Sequence, residues 1–156
     1  MITVITYGTF DLFHIGHLNL LRRAKDLGDR LVVGVSTDEF NALKGKRSVV
    51  PFAHRSDIVR SIRFVDEVVG ESAWEQKEVD IKVLGVDVFT MGDDWYGKFD
   101  FLKPLVEVVY LPRTDGVSST QLKSSFASLV PPALVSCEQG ARRETVSSRW
   151  QSIAPV

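Results

Sequence analysis

Five short runs rich in β-branched and aromatic residues recur along the chain, at Ile2–Tyr7, Arg30–Ser36, Val65–Val69, Val86–Met91 and Val106–Leu111. Several are apolar at consecutive positions, the pattern of strands covered on both faces. Between the first two, Ile15, Leu18, Leu21 and Leu27 form one stripe of a helix predicted over Ile15–Leu27, with Gly28 as its stop. Pro51–Phe64 predicts a second helix, entered through proline and apolar on the side of Ile58, Val59 and Ile62. Trp74–Leu84 predicts a third, closed by Gly85. Strands alternating with helices predict an α/β fold, a doubly wound parallel sheet of five strands with right-handed crossovers. Ligands of such sheets gather at the carboxyl ends of the strands.

A length of 156 residues fits one domain, and 44% hydrophobic with 25% charged residues is the composition of a soluble globular protein. Nineteen Lys and Arg against 20 Asp and Glu leave a net charge of -1. No global positive field exists to hold nucleic acid or an anionic membrane, so any phosphate binding must be local. A lone cysteine, Cys137, excludes an internal disulfide and a thiolate-rich metal cage, which fits the cytoplasm. The start, MITVITYGTFDLFHIGH, lacks a basic leader, and no apolar run approaches the roughly 20 residues of a membrane span. From about Ala127 the pattern changes: Pro131, Pro132, Pro155 and Cys137 stand among serines without periodicity. The expectation is a domain over 1–126 and a C-terminal extension over 127–156, partly disordered.

Neither GxxxxGK[ST] nor GxGxxG follows the first strand, so the P-loop and dinucleotide solutions lack their main support. In their place Gly8-Thr9-Phe10-Asp11 makes a turn and His14-Ile15-Gly16-His17 opens the helix. Residues three apart share a helical face, so His14 and His17 face where the free N–H groups and the positive dipole end also point. Gly16 keeps that face clear of a β-carbon. The product is a compact anion site with imidazole donors, suited to a phosphate whose charge grows during reaction. The same spacing serves plain helix capping, or a two-histidine metal site with Asp11 as third ligand. Asp11 alternatively orients His14.

Three other stretches offer chemistry. Lys44 and Lys46 flank Gly45 in a basic loop able to close over phosphates, or form a solvated charge run. Arg113-Thr114-Asp115-Gly116-Val117-Ser118-Ser119-Thr120 follows the last strand and opens a helix. Its hydroxyls and free N–H groups suit phosphate oxygens, with Arg113 as a bidentate fork, and they also suit an ordinary N-cap. Met91-Gly92-Asp93-Asp94 ends the fourth strand, where a carboxylate or carbonyl can accept from the amine of a base.

The segments YGTFDLFHIGHLNLLRRAKDLGD, VSTDEFNALKGK, AHR at Ala53–Arg55, IRFVDEVV, WEQK, FTMGDDWYGKFDFL and VVYLPRTDGVSST cover Met1 to about Phe126. In this order they resemble the cytidylyltransferase-like nucleotidyltransferases, whose HxGH motif follows the first strand of a Rossmann-like fold. Within that superfamily the match is to the glycerol-3-phosphate cytidylyltransferases of bacterial surface-polymer synthesis. The resemblance implies transfer of a cytidylyl group from CTP to sn-glycerol 3-phosphate, giving CDP-glycerol and pyrophosphate. It implies a divalent cation, normally Mg2+, carried by CTP, no metal held by the protein itself, a homodimer, and an end use in teichoic acid or capsule.

By the same resemblance His14, His17, Lys46 and Arg113 are catalytic. Gly8, Thr9, Phe10, Gly16, Arg63, Gly92, Asp94, Thr114, Ser118, Ser119 and Thr120 bind the nucleotide. Asp11, Lys44, Arg55 and Lys77 bind the acceptor. The family counterpart of the last motif is similar to RTEGIST, from which Asp115 and Ser119 are mild departures.

Overall fold

The computed structural model describes residues 1–129. By its contacts the chain separates into a unit Met1–Leu122 and a second unit beginning at Lys123. The strands are β1 (Thr3–Gly8), β2 (Arg30–Ser36), β3 (Glu67–Glu71), β4 (Val88–Gly92) and β5 (Glu107–Leu111). The helices are α1 (Ile15–Lys25), α2 (Asp38–Leu43), α3 (Phe52–Arg60), α4 (Gln76–Val83) and α5 (Ser119–Leu129). All strand pairs are parallel and the order is β3-β2-β1-β4-β5.

Successive residues of a strand face opposite sides, and both sides here are covered. On one side Val4, Leu31, Val33 and Val88 pack with Leu21 and Ala24 of α1 and Val59 of α3. On the other, Ile5, Tyr7, Val32 and Phe89 pack with Ile81 of α4 and with Leu102. This is why the strands read as continuous apolar runs rather than alternating ones. Strand order reverses at β1, with β2 on one side and β4 on the other, and the carboxyl ends diverge there to leave a crevice.

Several local expectations change. Gly28 does not cap α1, whose C-cap is Asp26. Instead a β-carbon at Gly28 would lie 2.7 Å from the Ile2 carbonyl oxygen, so glycine lets this turn lie against the start of β1. Gly85, with φ +61°, does end the turn after α4. The second expected helix is shorter, Phe52–Arg60, and buries Arg55, Ser56 and Val59, leaving Ile58 exposed. Helix α2 was not expected at all; Thr37 caps it by accepting from the Phe40 N–H at 3.1 Å. Helix α5 runs past the expected boundary at Phe126 to Leu129, and the rest of the extension over 127–156 lies outside the described residues. Among the described residues no helix is long and apolar enough to cross a membrane.

Gly34 of β2 makes room for an aromatic wall. A β-carbon there would lie 2.2 Å from Cδ1 of Tyr7, so the tyrosine ring rests directly on the β2 backbone. Its hydroxyl donates to Asp80 of α4 at 2.8 Å, and burial with that carboxylate pushes the phenol pKa far up.

Candidate active site

The connection from β1 to α1 is tightly folded. Phe10 (φ 52°) and Leu12 (φ 49°) both adopt the left-handed region that side chains other than glycine's rarely occupy. Surrounding groups hold them there. The Asp11 carboxylate accepts from the Val49 and Val50 N–H groups at 2.8 and 2.9 Å. The Thr9 carbonyl accepts from Arg55 at 2.6 Å, and the Asp11 carbonyl accepts from the Ser119 hydroxyl at 2.8 Å. The buried Phe10 ring meets His17 edge-on at 5.3 Å. A β-carbon at Gly8 would fall 2.9 Å from that ring.

The turn delivers His14 as N-cap of α1. Its Nδ1 accepts from the Gly16 N–H at 3.1 Å, and its own N–H points to Nδ1 of His17 at 3.4 Å, so the pair closes a capping box. The rings stack with centroids 3.8 Å apart and planes 23° apart. With both Nδ1 atoms accepting, each neutral ring must carry its proton on Nε2. Burial and the neighbouring His14 press His17 down to about 3; burial and then Arg113 lower His14. Both rings are therefore neutral Nε2–H donors at pH 7. Gly16 is required: a β-carbon there would lie 2.9 Å from Nδ1 of His14 and 3.2 Å from Val117.

The rings border a cavity of about 260 Å³ at the carboxyl ends of β1 and β4. Gly8, Thr9, Phe10, His14, Gly16 and His17 line one side; Gly92, Asp94, Arg113, Thr114, Ser118, Ser119 and Thr120 line the other. The amino end of α5 thus faces that of α1, and two sets of free N–H groups converge on one space. Ser118 also caps α5, accepting from the Gln121 N–H at 3.1 Å, so the capping and site readings hold together. Thr114 accepts from Asn19 at 3.1 Å, and Ser119 lies 3.4 Å from Nε2 of His14. Arg113 is exposed and makes no hydrogen bond or ion pair among the described residues, leaving its fork available. A β-carbon at Gly92 would come within 2.8 Å of Asp94, whose carboxylate folds back over that glycine. Met91 and Val117, from stretches already marked, and Tyr7, Leu20, Trp95 and Pro112, which no site reading marked, complete the wall.

Lys44 and Lys77 form a second cluster. Lys77 in α4 is 1% exposed, pairs with Glu71, and places its ammonium 4.7 Å from the centroids of both Tyr7 and Trp74. Lys44 donates to Ser36 at 3.1 Å, lies 4.0 Å from Glu71 and sits 4.1 Å over the Phe40 ring. Tyr7 is common to the cluster and the cavity, so the two adjoin. Glu71, which no motif marked, is the last residue of β3, and the carboxyl end of a parallel strand was the signal that could have found it.

Four further expected site residues do not line the cavity. Arg55 is 1% exposed, with its guanidinium donating to the carbonyls of Thr9, Ser36 and Val50 and pairing with Asp38, so that it ties loops together. Asp11 likewise accepts from backbone N–H groups, those of Val49 and Val50. Arg63 lies between α3 and β3, at the amino end of the sheet, exposed beside Phe64 at 5.0 Å and not lining the cavity. Lys46 is exposed in the loop after α2 and also does not line the cavity. Among the described residues no group of three or more His, Cys, Asp or Glu is placed to hold a metal ion.

Comparison with known proteins agrees with this layout. The model of the Cytidylyltransferase-like family matches residues 5–148. Glycerol-3-phosphate cytidylyltransferase of Bacillus subtilis (strain 168) is 60% identical over 126 residues, covering 81% of this chain and 98% of the relative. That of Staphylococcus aureus (strain NCTC 8325 / PS 47) is 54% identical over 123 residues, covering 79% and 93%. Among solved structures, the lipopolysaccharide core biosynthesis protein from Thermoplasma volcanium GSS1 superposes with a TM-score of 0.63 at 28% identity, over 74% of this chain and 99% of that one. With a parallel Rossmann-type sheet, a stacked HxGH pair at the mouth of α1 and relatives matched nearly end to end, the chain belongs to the cytidylyltransferase-like family.

Proposed function

We propose that the chain transfers a cytidylyl group from CTP to sn-glycerol 3-phosphate, giving CDP-glycerol and pyrophosphate. The single observation that carries this reading is the stacked, neutral His14–His17 pair facing Arg113 across a cavity between two helix N-termini, in a chain 54–60% identical to curated glycerol-3-phosphate cytidylyltransferases.

Attack of one phosphate on another requires that their repulsion be neutralised and that both be held in line. The neutral imidazoles bordering the cavity donate from Nε2–H to the oxygens of the α-phosphoryl group, where charge accumulates at the transition state. No proton need be taken from the acceptor, whose phosphate oxygen is already a nucleophile. Pyrophosphate leaves on the side opposite the attack, drawn by Arg113 and the N–H groups at the start of α5. Asp94, at the carboxyl end of β4, suits the exocyclic amine of cytosine. Lys44 and Lys77 suit the acceptor phosphate, and Lys46, in the same loop as Lys44, suits the triphosphate once that loop closes. A divalent cation, normally Mg2+, arrives on the triphosphate as part of the substrate.

The family resemblance further supports a homodimer as the working unit, and the lone Cys137 supports a reducing, cytoplasmic setting. Teichoic acid or capsule is the polymer class such a product serves. The decisive experiment measures pyrophosphate release from CTP and ATP, each with glycerol 3-phosphate, ethanolamine phosphate and a sugar phosphate. The expected preferred pair is CTP with glycerol 3-phosphate; a larger kcat/KM for any other pair overturns the assignment. Mass in solution tests the dimer.

A further inference from the structure

Lys44 comes from the end of α2 and Lys77 from the first turn of α4, yet their ammonium groups meet at one carboxylate. Glu71 is 3% exposed, and Ser36, its register partner on β2, is 1% exposed and donates to it at 2.5 Å. Four buried or half-buried polar side chains from four elements are thus joined, with Phe40, Trp74, Tyr7 and Phe99 turned toward the two cations. Trp74 is also half-exposed, so the cluster lies just beneath the surface.

We infer that Glu71, seconded by Ser36, is the positioning residue of the acceptor site: its carboxylate holds both lysine ammonium groups side by side for a phosphomonoester entering beside the Tyr7 wall. The inference rests on the activity proposed above and adds to it a residue that touches neither substrate.

The physical case turns on what two buried ammonium groups do without a counter-ion. Desolvation and mutual repulsion both favour loss of a proton. Burial already lowers Lys44, Lys46, Lys77 and Arg55 lower it further, and Glu71 alone opposes them. Two lysines and one glutamate leave the cluster with a single net positive charge, still attractive to a phosphate dianion. Remove the carboxylate and one lysine sheds its proton or swings out to water, so a prealigned pair becomes one cation in an unfixed position. A rival expectation follows if Glu71 merely competes with the phosphate for the lysines: its removal would tighten acceptor binding.

The test is steady-state kinetics of the full chain carrying Glu71→Gln or Ser36→Ala, varying glycerol 3-phosphate at saturating CTP and the reverse. For Glu71→Gln the expected result is a KM for glycerol 3-phosphate raised about ten-fold or more, the scale of losing one partner of a buried charged set, with the KM for CTP unchanged. The basic limb of kcat/KM for the acceptor should also move to lower pH, since an uncompensated lysine titrates earlier. Ser36→Ala, which removes a hydroxyl and no charge, should shift the acceptor KM in the same direction by less, and it decides the matter if Glu71→Gln does not fold. An acceptor KM that is unchanged or lower, or two KM values rising together, overturns the positioning role while leaving the activity intact. Absence of turnover in the unsubstituted protein overturns the activity and this inference with it.

Discussion

Asp11 and Arg55 grip the same residue from two sides: Val50 donates its N–H to Asp11 at 2.9 Å and accepts at its carbonyl from Nε of Arg55 at 2.8 Å. The Asp11 side of that grip belongs to the turn that launches His14, while Arg55 also holds the Thr9 carbonyl. The segment after the lysine loop and the histidine turn are therefore braced against each other.

Asp11→Asn should loosen this brace, because an amide offers one carbonyl oxygen where the carboxylate serves two N–H groups. The expected loss is about 1–3 kcal/mol, the scale of a buried donor left unpaired. Urea unfolding measures it; stability equal to the parent would show that Val49 and Val50 find other partners.

Arg55→Met keeps the stem and removes the fork, leaving the Thr9, Ser36 and Val50 carbonyls without it. Destabilisation of about 3 kcal/mol or more is expected, with several acceptors orphaned at once. A near-normal midpoint combined with a large rise in acceptor KM would restore Arg55 to a ligand-binding role.

Gly16→Ala should separate stability from activity. The new β-carbon meets the His14 ring, which must swing aside and give up its cap on the Gly16 N–H, a loss of about 0.5–2 kcal/mol that alanine's helix propensity of up to about 1 kcal/mol offsets in part. Melting temperature should fall slightly while kcat falls steeply. Replacing His14 or His17 by Ala sets the scale, with turnover down roughly a hundred-fold or more, as for other transition-state donors. Full activity in either histidine variant would remove that ring from the chemistry.

Arg113→Ala should raise the His14 pKa toward 6.5, because burial and then Arg113 hold it down and one of the two is gone. An imidazole NMR titration reads this, and kcat/KM for CTP should fall about ten- to a hundred-fold with the lost charged hydrogen bonds. An unmoved His14 titration would place the guanidinium elsewhere.

Acid stability carries the mark of His17. Its folded pKa, about 3, lies below the ordinary 6.5, so between those values the unfolded chain binds the proton and the folded chain does not. Stability is full above 6.5 and falls as pH drops through this window. Asp38 and Asp66, whose pKa values are lowered from 3.8, lose their contribution only below that point, so the slope between 6.5 and 3.8 belongs to the histidines. His17→Gln should flatten it in a series of thermal melts; a slope unchanged by that substitution refutes the account.

The sheet was legible because burial on both faces leaves continuous apolar runs, and the expected bounds of β2, Arg30–Ser36, are the observed ones. The histidine pair was legible because helical spacing fixes which side chains share a face. What escaped depends on the third dimension. Helix α2 has six residues and no periodicity to display, and its cap at Thr37 is easily read as a turn. Lys77 was marked only by the family resemblance, since nothing local announces a carboxylate waiting at the end of β3. Arg63 falls outside the cavity because the chain reaches it just before a strand, at the end of the sheet opposite the carboxyl ends. Asp11 and Arg55 lie within matched segments, but motif membership does not distinguish a group that touches substrate from one that holds the loop behind it.

Tyr7 is a party wall. It lines the cavity beside the histidines and also lies under the Lys77 ammonium, while Gly34 and Asp80 hold it in place. Donor and acceptor selectivity are consequently not separable traits in this scaffold: a change that enlarges one room by thinning the partition redraws the other, and altered acceptor choice has to come from the far side of the lysines.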